Sequence, residues 1–95
     1  MILGVPKEIL NNETRVAVIP STVKQLKSAG FEVIIESGAG ILSQISDDDY
    51  LNVGAKIINN TSEVYNDSDM ILKVNSPTDD ELSMIKENSS YLSFF

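Results

Sequence analysis

The chain has neither cysteine nor histidine. Without cysteine, disulfides, thiolate metal sites and thiol nucleophiles are excluded within it. Without histidine, the commonest general base and metal ligand is missing. Basic residues are scarce: seven Lys and Arg stand against 14 Asp and Glu, for a net charge of −7. That balance argues against nucleic acid and anionic membrane surfaces as partners. Arg15 is the only arginine. No apolar run approaches the roughly 18 residues of a membrane span, and the N-terminus carries no basic flank or cleavage site, so neither direct membrane insertion nor export is expected. What remains is ordinary for a soluble globular chain, 42% apolar and 22% charged over 95 residues, enough for one domain with a modest core. The acids are scattered apart from Asp47-Asp48-Asp49 and Asp79-Asp80-Glu81, which reads as a solvated acidic surface.

The first twenty residues organise the rest. Met1-Ile2-Leu3-Gly4-Val5 is an apolar strand ending at Pro6, followed by a polar loop over residues 7–14, a short apolar run Val16-Ala17-Val18-Ile19, and Pro20 opening a helix. That helix runs to about Ala29, with Val23 and Leu26 as an i, i+3 pair and Gly30 as its stop. Glu32-Val33-Ile34-Ile35-Glu36 is a strand, and Ser37-Gly38-Ala39-Gly40 a tight turn. Ser46 caps a second helix whose first turn holds Asp47, Asp48 and Asp49, where the helix dipole favours negative charge. Tyr50, Leu51 and Val53 are its expected buried side, with Gly54 at its end. A short strand over 55–58 and a brief helix with Val64 and Tyr65 follow. Then come a strand over 69–74, a helix opened by the capping box Thr78-x-x-Glu81 and burying Leu82 and Ile85, and a last strand over 91–95.

Strands alternating with helices of about ten residues predict an α/β fold: an open, mainly parallel sheet with helices on both faces, flavodoxin- or Rossmann-like. The chain stops on a bare apolar strand, which exposes unpaired backbone and two phenylalanines. We therefore expect a partial N-terminal domain over 1–95, truncated at that C-terminal strand and belonging to a longer protein.

A right-handed crossover returns its helix from the carboxyl to the amino edge of the sheet, so residues 6–19 stay at the carboxyl edge. Open α/β sheets bind ligands there. Lys73, near the carboxyl end of its own strand, reaches the same rim as Arg15, and two cations on an acidic chain suggest an anion clamp, best suited to a carboxylate. Arg15 paired with Glu8 or Glu13 as a structural link, and Lys73 pointing into water, are the competing readings. The Asp47–Asp49 run reads as helix-start electrostatics and not as a metal site. Gly38-x-Gly40 lacks the third glycine of a dinucleotide loop and no helix opens until Ser46, so a tight turn is the better reading there.

Several separate runs resemble one family. Gly4-Val5-Pro6-Lys7-Glu8, Asn12-Glu13-x-Arg15-Val16-Ala17, Pro20, Gly30-Phe31-Glu32-Val33, Glu36-Ser37-Gly38-Ala39-Gly40 and Ile71-Leu72-Lys73-Val74-Asn75-Ser76-Pro77 are similar to the N-terminal domain shared by alanine dehydrogenase and the alpha subunit of proton-translocating NAD(P) transhydrogenase. The resemblance covers essentially the whole chain. It implies that Arg15 and Lys73 match the arginine and lysine that hold the keto-acid substrate in alanine dehydrogenase. Lys-Val-Asn-x-Pro at Lys73 to Pro77 is similar to the transhydrogenase branch, whereas alanine dehydrogenases tend to carry a charged pair after Lys-Val. The dehydrogenase's catalytic histidine would fall at the first residue beyond Phe95. The resemblance further implies a parent enzyme that passes a hydride from NADH to NADP⁺ and couples it to proton movement. Its partners would be the remainder of the alpha subunit and a membrane-bound beta subunit, in a homo-oligomer, with this soluble domain on the cytoplasmic side. NAD(H) and NADP(H) belong to the complete enzyme. The glycine-rich NAD loop and the catalytic aspartate lie downstream in the family, so no catalysis, bound cofactor or NAD affinity is expected of this chain alone. An alanine dehydrogenase piece and a free-standing interaction or decayed module are the alternatives.

Overall fold

The computed structural model describes residues 1–8, 15–75, 79–84 and 90–93. Five strands alternate with four α-helices: β1 (Ile2–Val5), α1 (Pro20–Ser28), β2 (Glu32–Glu36), α2 (Asp47–Asn52), β3 (Lys56–Ile58), α3 (Thr61–Asp67), β4 (Met70–Lys73), α4 (Asp79–Met84) and β5 (Ser90–Ser93). The strands form one sheet in the order β3-β2-β1-β4-β5, and every pairing is parallel. This is the α/β, Rossmann-like architecture expected from the alternation of elements.

Local chemistry explains the boundaries. α1 starts on Pro20, whose fixed φ suits the first helical position and whose missing N–H costs nothing there. It ends in a Schellman motif. Gly30, at φ 98°, donates its N–H to Lys27, and the next amide, Phe31 N–H, reaches back to the carbonyl of Leu26. Ser46 and Asp49 form a reciprocal capping box at the start of α2. Asn60 caps α3 by accepting from the amide of Glu63.

The period of two along each strand sorts side chains to the two faces. Leu3 and Val5, Val33 and Ile35, and Leu72 point to the face covered by α1 and α2, where they pack with Val23 and Tyr50. Tyr50 is fully buried and its hydroxyl donates to the carbonyl of Val18 (2.7 Å), fastening α2 to the segment that leads into α1. Gly4 faces the other side, against Ser68 and Val64 at the end of α3. The same parity puts Ile71 and Lys73 on that second face, beneath α3 and α4.

The expected buried side of α2 needs one correction. Tyr50 is buried and Val53 packs on the core, but Leu51 is 49% exposed. A helix of six residues has room for one inward position per turn, and Tyr50 takes it. Thr78 and Ile85 lie outside the described residues. The other half of the expected capping box, Glu81, is buried, with its carboxylate on Lys73 and Tyr65, as described next.

Candidate functional site

The chain leaves β1 for β2 on one side and later returns to pair β4 with β1 on the other, so the strand order reverses between β1 and β4. In open α/β sheets the crevice outside the carboxyl ends at such a reversal is where ligands bind. Pro6-Lys7-Glu8 leaves β1 at this place and Val74-Asn75 leaves β4 beside it.

The carboxylate of Glu8 joins the two exits. It accepts from the amide of Val74 (3.0 Å) and, through its other oxygen, from the amide and the side-chain nitrogen of Asn75 (3.4 Å each). Lys73 lies deeper, 1% exposed. Its ammonium is ion-paired with Glu81 and stands 3.7 Å from Glu8. The hydroxyl of Tyr65 donates to the same Glu81 oxygen (3.1 Å), and that of Tyr91 to the carbonyl of Asn75 (3.0 Å). A third carboxylate, Glu36, binds the amide of Lys7 (2.9 Å) and the hydroxyl of Thr61 (2.8 Å), holding the β1 exit from its other side.

Lys73 therefore neither points into water nor stands as an open cation on the rim. Two carboxylates share one ammonium, so the buried cluster carries one negative charge in excess, and an incoming anion would have to compete with both for Lys73. Arg15 is exposed in the segment that leads into α1; Glu13, one of its alternative partners, lies outside the described residues, and the other, Glu8, binds the β4 exit and stands 3.7 Å from Lys73. The structure thus gathers Lys73 with Glu8, Glu81 and Tyr65. Sequence reasoning missed these three partners, though a signal was present: in Ile71-Leu72-Lys73 the lysine has the parity of a buried isoleucine.

The glycine turn after β2 is also committed. The carboxylate of Asp47 accepts from the hydroxyl of Ser37 (2.6 Å) and the amide of Gly38 (2.9 Å). With a carboxylate bound where a phosphate would be held, this turn does not fit a dinucleotide pyrophosphate. Among the described residues, no group of three or more His, Cys, Asp or Glu side chains could hold a metal ion, and no helix is long and apolar enough to cross a membrane.

Burial raises the phenol of Tyr65, with the Glu81 carboxylate adding to the shift, and burial likewise raises Tyr91 beside Glu81 and Glu8. Tyr50 is pushed up from 10.0 to about 12, first by burial and then by Asp47 and Asp49. The native state thus keeps phenolic protons that the unfolded chain releases. That stability is complete below pH 10 and is lost as pH rises through the native values. Because these are all three tyrosines of the chain, phenolate absorbance is expected to appear only together with loss of the circular dichroism signal, well above pH 10. A tyrosine ionising near pH 10 in the folded chain would contradict the burial.

The profile of the family described as "Alanine dehydrogenase/PNT, N-terminal domain" matches residues 4–95. The chain belongs to this family. Among relatives of the domain, the NAD(P) transhydrogenase subunit alpha of Haemophilus influenzae is 46% identical over 94 residues, covering 99% of this chain and 18% of that protein. The alanine dehydrogenase of Methanococcus maripaludis is 46% identical over 87 residues, 92% of this chain and 23% of that protein. Solved structures agree. An L-alanine dehydrogenase superposes with a TM-score of 0.91 at 36% identity, covering 96% of this chain and 25% of that one. A transhydrogenase from Sinorhizobium meliloti superposes with a TM-score of 0.92 at 37% identity, covering 100% of this chain and 28% of that one. The alanine dehydrogenase/PNT N-terminal domain seen here thus spans 18–28% of these four relatives.

Proposed function

We propose that this chain is the N-terminal piece of an NAD(P) transhydrogenase alpha subunit and forms one wall of the NAD(H)-side cleft in the complete enzyme. The observation that carries the reading is the exit of β4. After Lys73-Val74 stands Asn75, an uncharged residue whose side-chain nitrogen donates to Glu8, where a second cation would be needed to offset the excess negative charge of the cluster and receive a keto-acid carboxylate. Relatives matched over 99% of the chain include both the Haemophilus influenzae alpha subunit and an alanine dehydrogenase, so the β4 exit alone carries the choice of branch. In this reading the hydride passes from NADH to NADP⁺ on residues outside this chain. The domain contributes shape and charge at the cleft, as a cytoplasmic part of a membrane-associated homo-oligomer that includes a beta subunit, and holds no cofactor by itself.

One observation favours a second reading. Arg15 is exposed to solvent in the segment entering α1. In an alanine dehydrogenase, Arg15 would hold the keto acid directly, with Lys73 as the second cation after exchanging Glu81 for the substrate. The test is to assay the complete polypeptide, with its partner subunits, for NADH-to-NADP⁺ hydride transfer and for NAD-dependent deamination of L-alanine. Hydride transfer without deamination is expected. Deamination whose KM for L-alanine rises about tenfold or more in Arg15→Ala, the effect of losing a charge-assisted bond, would replace the first reading with the second.

A further inference from the structure

Val74 and Asn75 leave β4 with consecutive amides directed at one carboxylate. Val74 N–H meets one oxygen of Glu8 at 3.0 Å, and Asn75 N–H and Nδ2 meet the other at 3.4 Å. The ammonium of Lys73 stands 3.7 Å from that second oxygen, and the Glu8 side chain is 3% exposed. We propose that the exits of β1 and β4 form a binding site for one small carboxylate, and that Glu8 fills it as an internal ligand supplied by the chain.

Backbone geometry makes the site. β1 pairs with β4 through Leu3↔Met70 and Gly4↔Ile71; beyond that register the amides of Val74 and Asn75 reach past the ladder and bond to a side chain instead. Successive amides in such an exit form an anion-binding concavity. Glu8 is not simply the counterion of Lys73, because its shorter bond goes to the Val74 amide, and Lys73 is already paired with Glu81. Electrostatics agree with a refillable site. Without Glu8, the Lys73–Glu81 pair is neutral, and an entering carboxylate returns the cluster to its native single negative charge. Three donors that lose this acceptor, the amides of Val74 and Asn75 and the Asn75 side-chain nitrogen, beside the Lys73 ammonium, would favour any planar anion with two oxygens that fits the vacated space. Formate and acetate have that chemistry; chloride does not. A corollary concerns the crevice in the intact chain: this anion position is already taken, so a carboxylate ligand of this edge binds outside Glu8.

The test uses the purified chain and its Glu8→Ala variant, melted in sodium formate or in sodium chloride at equal ionic strength. The variant is expected to melt about 10 °C lower in chloride, a shift of the size that lost charge-assisted bonds give in a small domain. Formate is expected to restore most of that loss in a saturable way without moving the wild type. The Val74 and Asn75 amide proton resonances should shift in the variant and return with formate. Equal melting of the variant in both salts, or an equal gain by the wild type, would overturn the proposal. If Glu8→Ala does not fold in chloride, refolding is read instead: recovery in formate alone supports the site, and recovery in neither salt refutes it. Glu8→Gln keeps the space filled, so its melting is expected to be indifferent to formate; rescue of that variant would also count against the site.

Discussion

Gly4→Ala is expected to destabilise the chain by about 3 kcal/mol, at the upper end for overpacking a tight core. That corresponds to a fall of roughly 12–24 °C in melting temperature for a domain of this size. A Cβ at this position would lie 2.8 Å from the Cβ of Ser68 and 3.2 Å from Cγ1 of Val64, and would collide with the Ser68 hydroxyl. Neither side can yield easily. Gly4 is in register with Ile34 of β2 and Ile71 of β4, so the central strand is held from both flanks. Ser68 is fully buried, and its hydroxyl bonds the Val64 carbonyl. The conflict is local, so Gly4→Ala combined with Ser68→Gly should recover much of the loss. A Gly4→Ala variant melting within a few degrees of the wild type would show that α3 can lift away from the sheet.

Lys73→Met should be worse still, costing about 3–5 kcal/mol, the range for breaking a buried ion pair by removing one partner. Methionine preserves much of the volume, so the loss reports charge. Glu81, 1% exposed, would lose its buried counterion and keep the Tyr65 hydroxyl, and Glu8 would lose the ammonium 3.7 Å away. The double variant Lys73→Met/Glu81→Gln removes the ion pair as a unit and should be clearly more stable than Lys73→Met alone. Chemical denaturation of the two single variants and the double then gives the coupling between the side chains. A coupling below about 0.5 kcal/mol, the level at which independent sites add, would mean that the pair does not hold the interior together.

Much of the fold was legible because its signals are local. The strand Glu32–Glu36, the proline that opens α1, the glycines that end α1 and α2, and the capping serine before three aspartates each act within a few residues. Leu51 was misjudged because a six-residue helix leaves little periodicity from which to choose a face. The candidate site was less legible for a different reason. Topology directed attention to the carboxyl edge, but the burial of Lys73 was not foreseen because strand-end position was weighed above parity. Its partners are 65 residues upstream and eight downstream, brought together only by the sheet order, which spacing along the chain cannot reveal. Glu81 illustrates the point: its pairing with a buried ammonium, a demanding neighbour for a carboxylate, leaves no mark in the local sequence around it.

The sheet order also bears on how this polypeptide comes into being. β1, the earliest of the five strands in chain order, is the middle strand and joins β2-β3 to β4-β5. It can take up its first neighbour only after β2 has been synthesised, and its second only after β4, so its apolar edges wait longest for cover. Loss of those few residues would not trim a margin. It would remove the seam, leaving two half-sheets with no common strand.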